Sequence, residues 1–109
     1  VTIEEASKVW GYTCTGWEHQ CRFNTYPAGG PGYFSHQDYS EVDQTKVTLI
    51  QAVSDFTGGE VKIIGRFTVA LEPNDVLVFP GFTQHEILPV GPGNDRVTFT
   101  AWATGERFT

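Results

Sequence analysis

The chain has 109 residues, 39% of them hydrophobic, and 13 acidic against 7 basic side chains give a net charge of −6. That apolar share excludes a disordered chain, and the length suits one domain built on one core. Apolar runs span only a few residues, as in Val76-Leu77-Val78-Phe79, which excludes a helical membrane span, and the acidic balance removes the basic footprint of a nucleic-acid binder. No charged-then-apolar stretch resembles a signal peptide, so a cytoplasmic location is the expectation.

At the start, Thr2 can cap the amide of Glu5 while Glu5 reaches back, which predicts one short helix running toward Val9. Cys14 and Cys21 are the only cysteines, and their spacing does not match a zinc knuckle. They read as ordinary thiols, with a short-loop disulfide as the alternative in a secreted protein.

From Cys21 onward the pattern is β. The 12 Gly and 6 Pro punctuate the chain at short intervals and leave little room for long helices. Strands are expected at Cys21–Tyr26, Lys46–Ser54, Glu60–Ile64, Phe67–Leu71, Val76–Phe79, His85–Val90 and Arg96–Ala103. In the Lys46–Ser54 strand, Val47, Leu49 and Val53 share one face and Thr48, Ile50 and Ala52 the other, so both faces are expected to be covered. Gly58 and Gly59 read as a turn or bulge with no chemistry of their own. Glu72-Pro73-Asn74-Asp75 supplies a turn before Val76. The expected fold is mainly all-β: a jelly roll or barrel with a short N-terminal helix. An immunoglobulin-type sandwich is the rival, without that fold's Cys-Trp-Cys signature.

Two of the three histidines stand in chemically informative company: His36-Gln37-Asp38, and His85 at the head of its strand. Residues two apart on a strand project from one face, so His36 and Asp38 can present an imidazole and a carboxylate to one point, with a third ligand from a distant strand. Two histidines and one carboxylate leave three octahedral positions open, the arrangement of non-haem iron(II) centres that bind a bidentate organic acid and dioxygen. His19 has no such partner and reads as structural. Arg96, Thr98, Thr100 and Trp102 share one face of the last strand, a polar set where a structural strand would carry aliphatics. A buried arginine needs an anion, and its planar fork suits a carboxylate.

The segment Tyr26-Pro27-Ala28-Gly29-Gly30-Pro31-Gly32-Tyr33-Phe34-Ser35-His36-Gln37-Asp38 resembles the 2-oxoglutarate and iron(II)-dependent oxygenases, and among them the prolyl-hydroxylase group that includes the hypoxia-sensing enzymes. Gly58-Gly59-Glu60, the Pro73 to Phe79 turn and strand, His85-Glu86-Ile87-Leu88-Pro89-Val90, Arg96 and Trp102 follow in that group's order, so the resemblance covers residues 22–103. It implies a double-stranded β-helix, that is, a cupin-like jelly roll, over one domain at 1–109, either trimmed at its N-terminus or minimal. It implies that His36, Asp38 and His85 bind Fe(II). Arg96 would hold the distal carboxylate of 2-oxoglutarate, and Tyr26 would set its hydroxyl near that cosubstrate. Thr48, Ile50, Val61, Ile87 and Trp102 would line the pocket. Where the hypoxia-type enzymes carry a second carboxylate-binding tyrosine, this chain has Ala52, and Thr98 is the expected replacement.

The activity implied is hydroxylation of an unactivated C–H bond with O2, coupled to decarboxylation of 2-oxoglutarate to succinate, with ascorbate as an accessory reductant. The Tyr26 to Asp38 stretch favours a peptidyl proline or another protein side chain, with Tyr39 to Thr45 flanking the groove; a free amino acid or other small molecule is the alternative substrate. Neither nucleic acid nor membrane is an expected partner. A cupin-like module that binds metal without turnover predicts the same ligands but has no need of Arg96 with Thr98. A structural β-sandwich would leave the motif residues coincidental.

Overall fold

The computed structural model describes the backbone of residues 14–16, 21–40 and 44–105, and the side chains of all of these but 14–16. The expected helix from Thr2 to Val9, His19, the pairing of Cys14 with Cys21, and residues 41–43 of the segment after Asp38 lie outside this description. Among the described residues there is no helix, and none is long and apolar enough to cross a membrane. The strands are β1 (Cys14–Gly16), β2 (Cys21–Tyr26), β3 (Tyr33–His36), β4 (Thr45–Ala52), β5 (Val61–Ile63), β6 (Phe67–Val69), β7 (Val76–Pro80), β8 (His85–Ile87) and β9 (Arg96–Gly105).

All pairings are antiparallel and form two sheets. In the larger, the order is β1-β9-β4-β7, with β2 also paired to β9; in the smaller it is β3-β8-β5-β6. The sheets face each other across Ile50, Ala52, Val61, Ile63, Leu71, Phe79 and Ile87; alternation along β4, β5, β7 and β8 turns all but Leu71 inward, and Leu71 lies past the end of β6. Strand β9 is the spine of the larger sheet. Its register sets Tyr26 opposite Arg96 and Asn24 opposite Thr98 on one side, and Thr48 opposite Trp102 and Ala52 opposite Thr98 on the other.

Several boundaries differ from the sequence reading. The His85 strand stops at Ile87, although pairing continues past it in the β5 register: the Leu88 amide bonds the Glu60 carbonyl, the Gly59 amide bonds the Pro89 carbonyl, and Gly58 bridges Val90. The last strand runs on to Gly105, and β3, inside the Gly/Pro-rich stretch, was not expected as an element of its own. Both faces of β4 are covered over most of its length, but Val53 lies beyond the strand end and is exposed, which corrects its placement on a buried face. The Glu72–Asp75 turn forms as expected: Asn74 takes a positive φ of 73°, and the Asp75 amide bonds the Glu72 carbonyl at 2.9 Å.

Candidate functional site

Between the sheets lies a cavity of about 380 Å³, walled by β2, β4 and β9 on one side and by β3 and β8 on the other. His36 and His85 are register partners across β3 and β8, and their rings lie 4.3 Å apart, centroid to centroid. Asp38 joins them by a different route from the strand periodicity expected. Strand β3 ends at His36, and the chain then turns so that the amides of Asp38 and Tyr39 both bond the Gly81 carbonyl at 2.9 Å. A side chain at Gly81 would collide with the Thr45 carbonyl, so glycine is what lets this segment lie against β4.

The result is one cluster. Asp38 Oδ1 lies 3.2 Å from His36 Nε2 and 3.7 Å from His85 Nε2, and one ligand atom from each residue falls within 4.8 Å of the others. Each imidazole is oriented through its other nitrogen: His36 Nδ1 is 2.9 Å from the Phe34 carbonyl and His85 Nδ1 is 2.9 Å from the Thr83 carbonyl. A carbonyl only accepts, so Nδ1 carries the hydrogen in both rings, and in a neutral imidazole Nε2 then has the lone pair at the shared point. The other Asp38 oxygen, Oδ2, accepts from the Thr48 hydroxyl at 2.6 Å and from the Trp102 indole N–H at 3.1 Å. Those two donors fix the carboxylate plane and leave Oδ1 free. Burial pushes the His85 imidazole below its ordinary value, against the opposing Thr83 carbonyl and Asp38 carboxylate, and so favours the neutral, ligating form.

The same cavity holds a second polar feature. Arg96 is only 2% exposed; its Nε donates to the Gly59 carbonyl at 2.9 Å and its Nη1 to the Thr98 hydroxyl at 3.3 Å, while Nη2 has no partner. No carboxylate among the described residues pairs with it. The guanidinium sits between two aromatic rings, 5.2 Å from the Tyr26 centroid and 5.3 Å from that of Phe56. Burial lowers its pKa, and nearby Tyr26 opposes that shift. An arginine stays protonated regardless, so the cavity encloses a cation whose Nη2 is unpartnered. Burial likewise raises the Tyr26 pKa, with Arg96 opposing, which keeps the phenol protonated and able to donate.

Of the residues expected to line the pocket, Thr48, Ile50, Ile87 and Trp102 do so, as do Tyr26, Arg96 and Thr98. Val61 does not. It is fully buried in the apolar core between the sheets, because β5 is one strand removed from the cavity wall. Gly59 also corrects the sequence reading. With φ at +58° it presents its carbonyl to Arg96 Nε, and a Cβ there would stand 2.7 Å from Arg96 Cδ, so the position shapes the guanidinium's seat. Sequence reasoning missed Phe56, Tyr33, Arg22 and Asn24. The last two were discoverable, since the two-residue period along β2 puts Arg22, Asn24 and Tyr26 on one face.

Comparison with known proteins gives this geometry a context. The family model described as the 2OG-Fe(II) oxygenase superfamily matches residues 21–104. The chain belongs to that superfamily. Among solved structures it resembles a Pseudomonas putida prolyl-4-hydroxylase with a TM-score of 0.76 at 22% identity, over 92% of this chain and 59% of that one. It also resembles a Trichoplax adhaerens prolyl hydroxylase in complex with a hypoxia inducible factor peptide fragment, with a TM-score of 0.67 at 24% identity, over 85% of this chain and 46% of the other. An RmlC-like cupin protein from Desulfovibrio desulfuricans matches with a TM-score of 0.57 at 16% identity, over 84% and 78% of the two chains. The two facing antiparallel sheets are the jelly roll of this 2OG-Fe(II) oxygenase fold. The chain spans 59% of the Pseudomonas enzyme's length and about half or less of the Trichoplax one's. A comparison with curated protein sequences finds no match.

Proposed function

We propose that this chain is an Fe(II)- and 2-oxoglutarate-dependent hydroxylase of a prolyl or other side chain in a protein or peptide, with His36, Asp38 and His85 as iron ligands. Arg96, Thr98 and Tyr26 form the seat for the cosubstrate. The observation that carries this reading is Arg96. A buried guanidinium with no counter-ion among the described residues and an idle Nη2 carries a desolvation cost that a bound anion would offset. It shares one cavity with two imidazoles and a carboxylate whose donor set suits iron(II) with open positions. A dicarboxylic ketoacid chelating at one end and ion-paired at the other answers both features.

With metal and cosubstrate bound, the site gains the oxidising chemistry that inserts one atom of O2 into a C–H bond as 2-oxoglutarate becomes succinate and CO2. The protein's own share is positional. The Phe34 and Thr83 carbonyls hold the two Nε2 lone pairs in line, and Thr48 and Trp102 hold Asp38 to a single free oxygen. Thr98, opposite Ala52, accepts from Arg96 Nη1 and would offer its hydroxyl hydrogen to the distal carboxylate of 2-oxoglutarate. Ile50 and Ile87 give the cavity apolar walls that limit water. The peptide complex of the Trichoplax relative supports a protein substrate over a free amino acid. The likeness to a cupin favours a second reading, a metal-binding module without turnover, which leaves the buried cation of Arg96 without a role.

The test is anaerobic titration of the purified protein with Fe(II) and 2-oxoglutarate, followed by admission of oxygen, with ascorbate present, and assay of succinate. A visible chelate band and succinate formation are expected, both lost in His36→Ala and His85→Ala. Metal bound tightly with no response to 2-oxoglutarate would replace the oxygenase reading with the binding module.

A further inference from the structure

Arg22 lines the cavity on the same face of β2 as Asn24 and Tyr26, yet it is exposed. Its guanidinium lies over the Trp102 ring, 5.5 Å from the centroid, and Trp102 donates its indole N–H to Asp38. The indole is thus held at its N–H by the candidate metal centre and covered on one face by a cation. No carboxylate among the described residues pairs with Arg22, although the chain as a whole carries a net charge of −6. Among the described residues, Asp38, already engaged, is the one acidic side chain in the cavity wall. On β3, Tyr33 and Phe34 stack at 4.6 Å, Tyr33 meets His36 edge-on at 4.8 Å, and Phe34 is 70% exposed. Such an exposed aromatic pair beside a cavity is a surface for a ring or another apolar side chain.

Building on the hydroxylase reading, we infer that Arg22 is a specificity-determining residue that selects an acidic peptide, pairing with a substrate carboxylate close in sequence to the residue that enters the cavity. The contact with Trp102 restrains the guanidinium before substrate arrives, so less side-chain entropy is lost when a carboxylate docks. In an acidic protein, one unpaired cation at the edge of the candidate site also makes that edge the point of least repulsion for a negatively charged chain. Tyr33 and Phe34 then receive the apolar part of the same segment.

The inference is tested with short peptides that contain one proline and carry Glu, Gln or Lys at each of the two positions on either side of it. Binding is measured by calorimetry to the protein loaded with Mn(II) and 2-oxoglutarate, and turnover as a mass gain of one oxygen on the Fe(II) protein. The best Glu peptide is expected to bind about tenfold tighter than its Gln counterpart, with Lys weakest, and the gap narrows as salt is raised. Arg22→Gln brings the three within about twofold, and Arg22→Glu reverses the order. Wild-type protein that binds the three alike, binds none of them, or keeps its preference in Arg22→Gln overturns the inference, provided the Fe(II)–2-oxoglutarate chelate band forms. Failure of that band in the wild-type protein instead refutes the hydroxylase reading itself, and the inference with it.

Discussion

Thr48→Val removes one hydroxyl and nothing else of size. Thr48 is 1% exposed, and valine fills the same volume, so the change leaves no cavity. What is lost is the 2.6 Å hydrogen bond to Asp38 Oδ2, after which, among the described residues, the Trp102 indole at 3.1 Å is the remaining donor to that oxygen. A hydrogen bond to a charged acceptor contributes about 1.5–3 kcal/mol, and the shorter of two charge-assisted bonds carries the larger share. With one anchor gone, the carboxylate can rotate and offer either oxygen. Oriented ligation is degraded by about 10–100-fold in metal affinity, or about 1.4–2.7 kcal/mol. The assay is Mn(II) binding at neutral pH by calorimetry, with circular dichroism as the check on folding. Thr48→Ser, which keeps the hydroxyl, should retain most of the affinity. Trp102→Phe should weaken binding less than Thr48→Val. The double variant should lose more than the sum, because Oδ2 then has no donor. A folded Thr48→Val protein whose Mn(II) affinity stays within about twofold of wild type would refute the assignment of Thr48 and Trp102 as the groups that orient Asp38.

Two further outcomes follow from groups in the same cavity. Arg96→Met keeps length while removing a buried, unpaired cation, so the ligand-free protein should be no less stable. Its thermal stabilisation by 2-oxoglutarate should disappear, where wild type gains about 2.7 kcal/mol at a hundredfold excess over the dissociation constant; a variant that still responds to 2-oxoglutarate would remove Arg96 from the cosubstrate seat. The pH dependence of metal-free stability turns on His85, whose folded pKa burial holds below the ordinary value of about 6.5. The unfolded chain therefore binds a proton that the folded one resists. Stability from this residue is complete above about pH 6.5 and is lost as pH falls through the lower folded value. Urea midpoints across this range should fall more steeply for wild type than for His85→Gln, and equal slopes would show that His85 is not held neutral by the fold.

Seven of the nine described strands were legible because they depend on period and punctuation; β1 and β3 were not. Cys21–Tyr26 has the same bounds in sequence and structure, and the Glu72–Asp75 turn needed only its Pro-Asn-Asp chemistry. The candidate ligands were legible as residue types: His36, Asp38 and His85 are the one described cluster able to hold a metal. The route by which Asp38 reaches that cluster was not, since it depends on the Gly81 carbonyl, 43 residues further along the chain, receiving two amides. Nor was the role of Gly59, which has a positive φ and against which Arg96 packs so closely that a Cβ would stand 2.7 Å from its Cδ.

The linear order of residues therefore determined the strand pattern, the chemistry available to the site and the family's motif order, because each is a property of neighbours along the chain. Tertiary structure alone decided which side chains meet. It sent Val61 into the core and not to the cavity, placed two donors on one oxygen of Asp38, and left Arg96 buried with one nitrogen unpaired. The physical reason is that burial and hydrogen-bond partnership are set by register between strands distant in sequence, and register is fixed only when the two sheets close on a shared core.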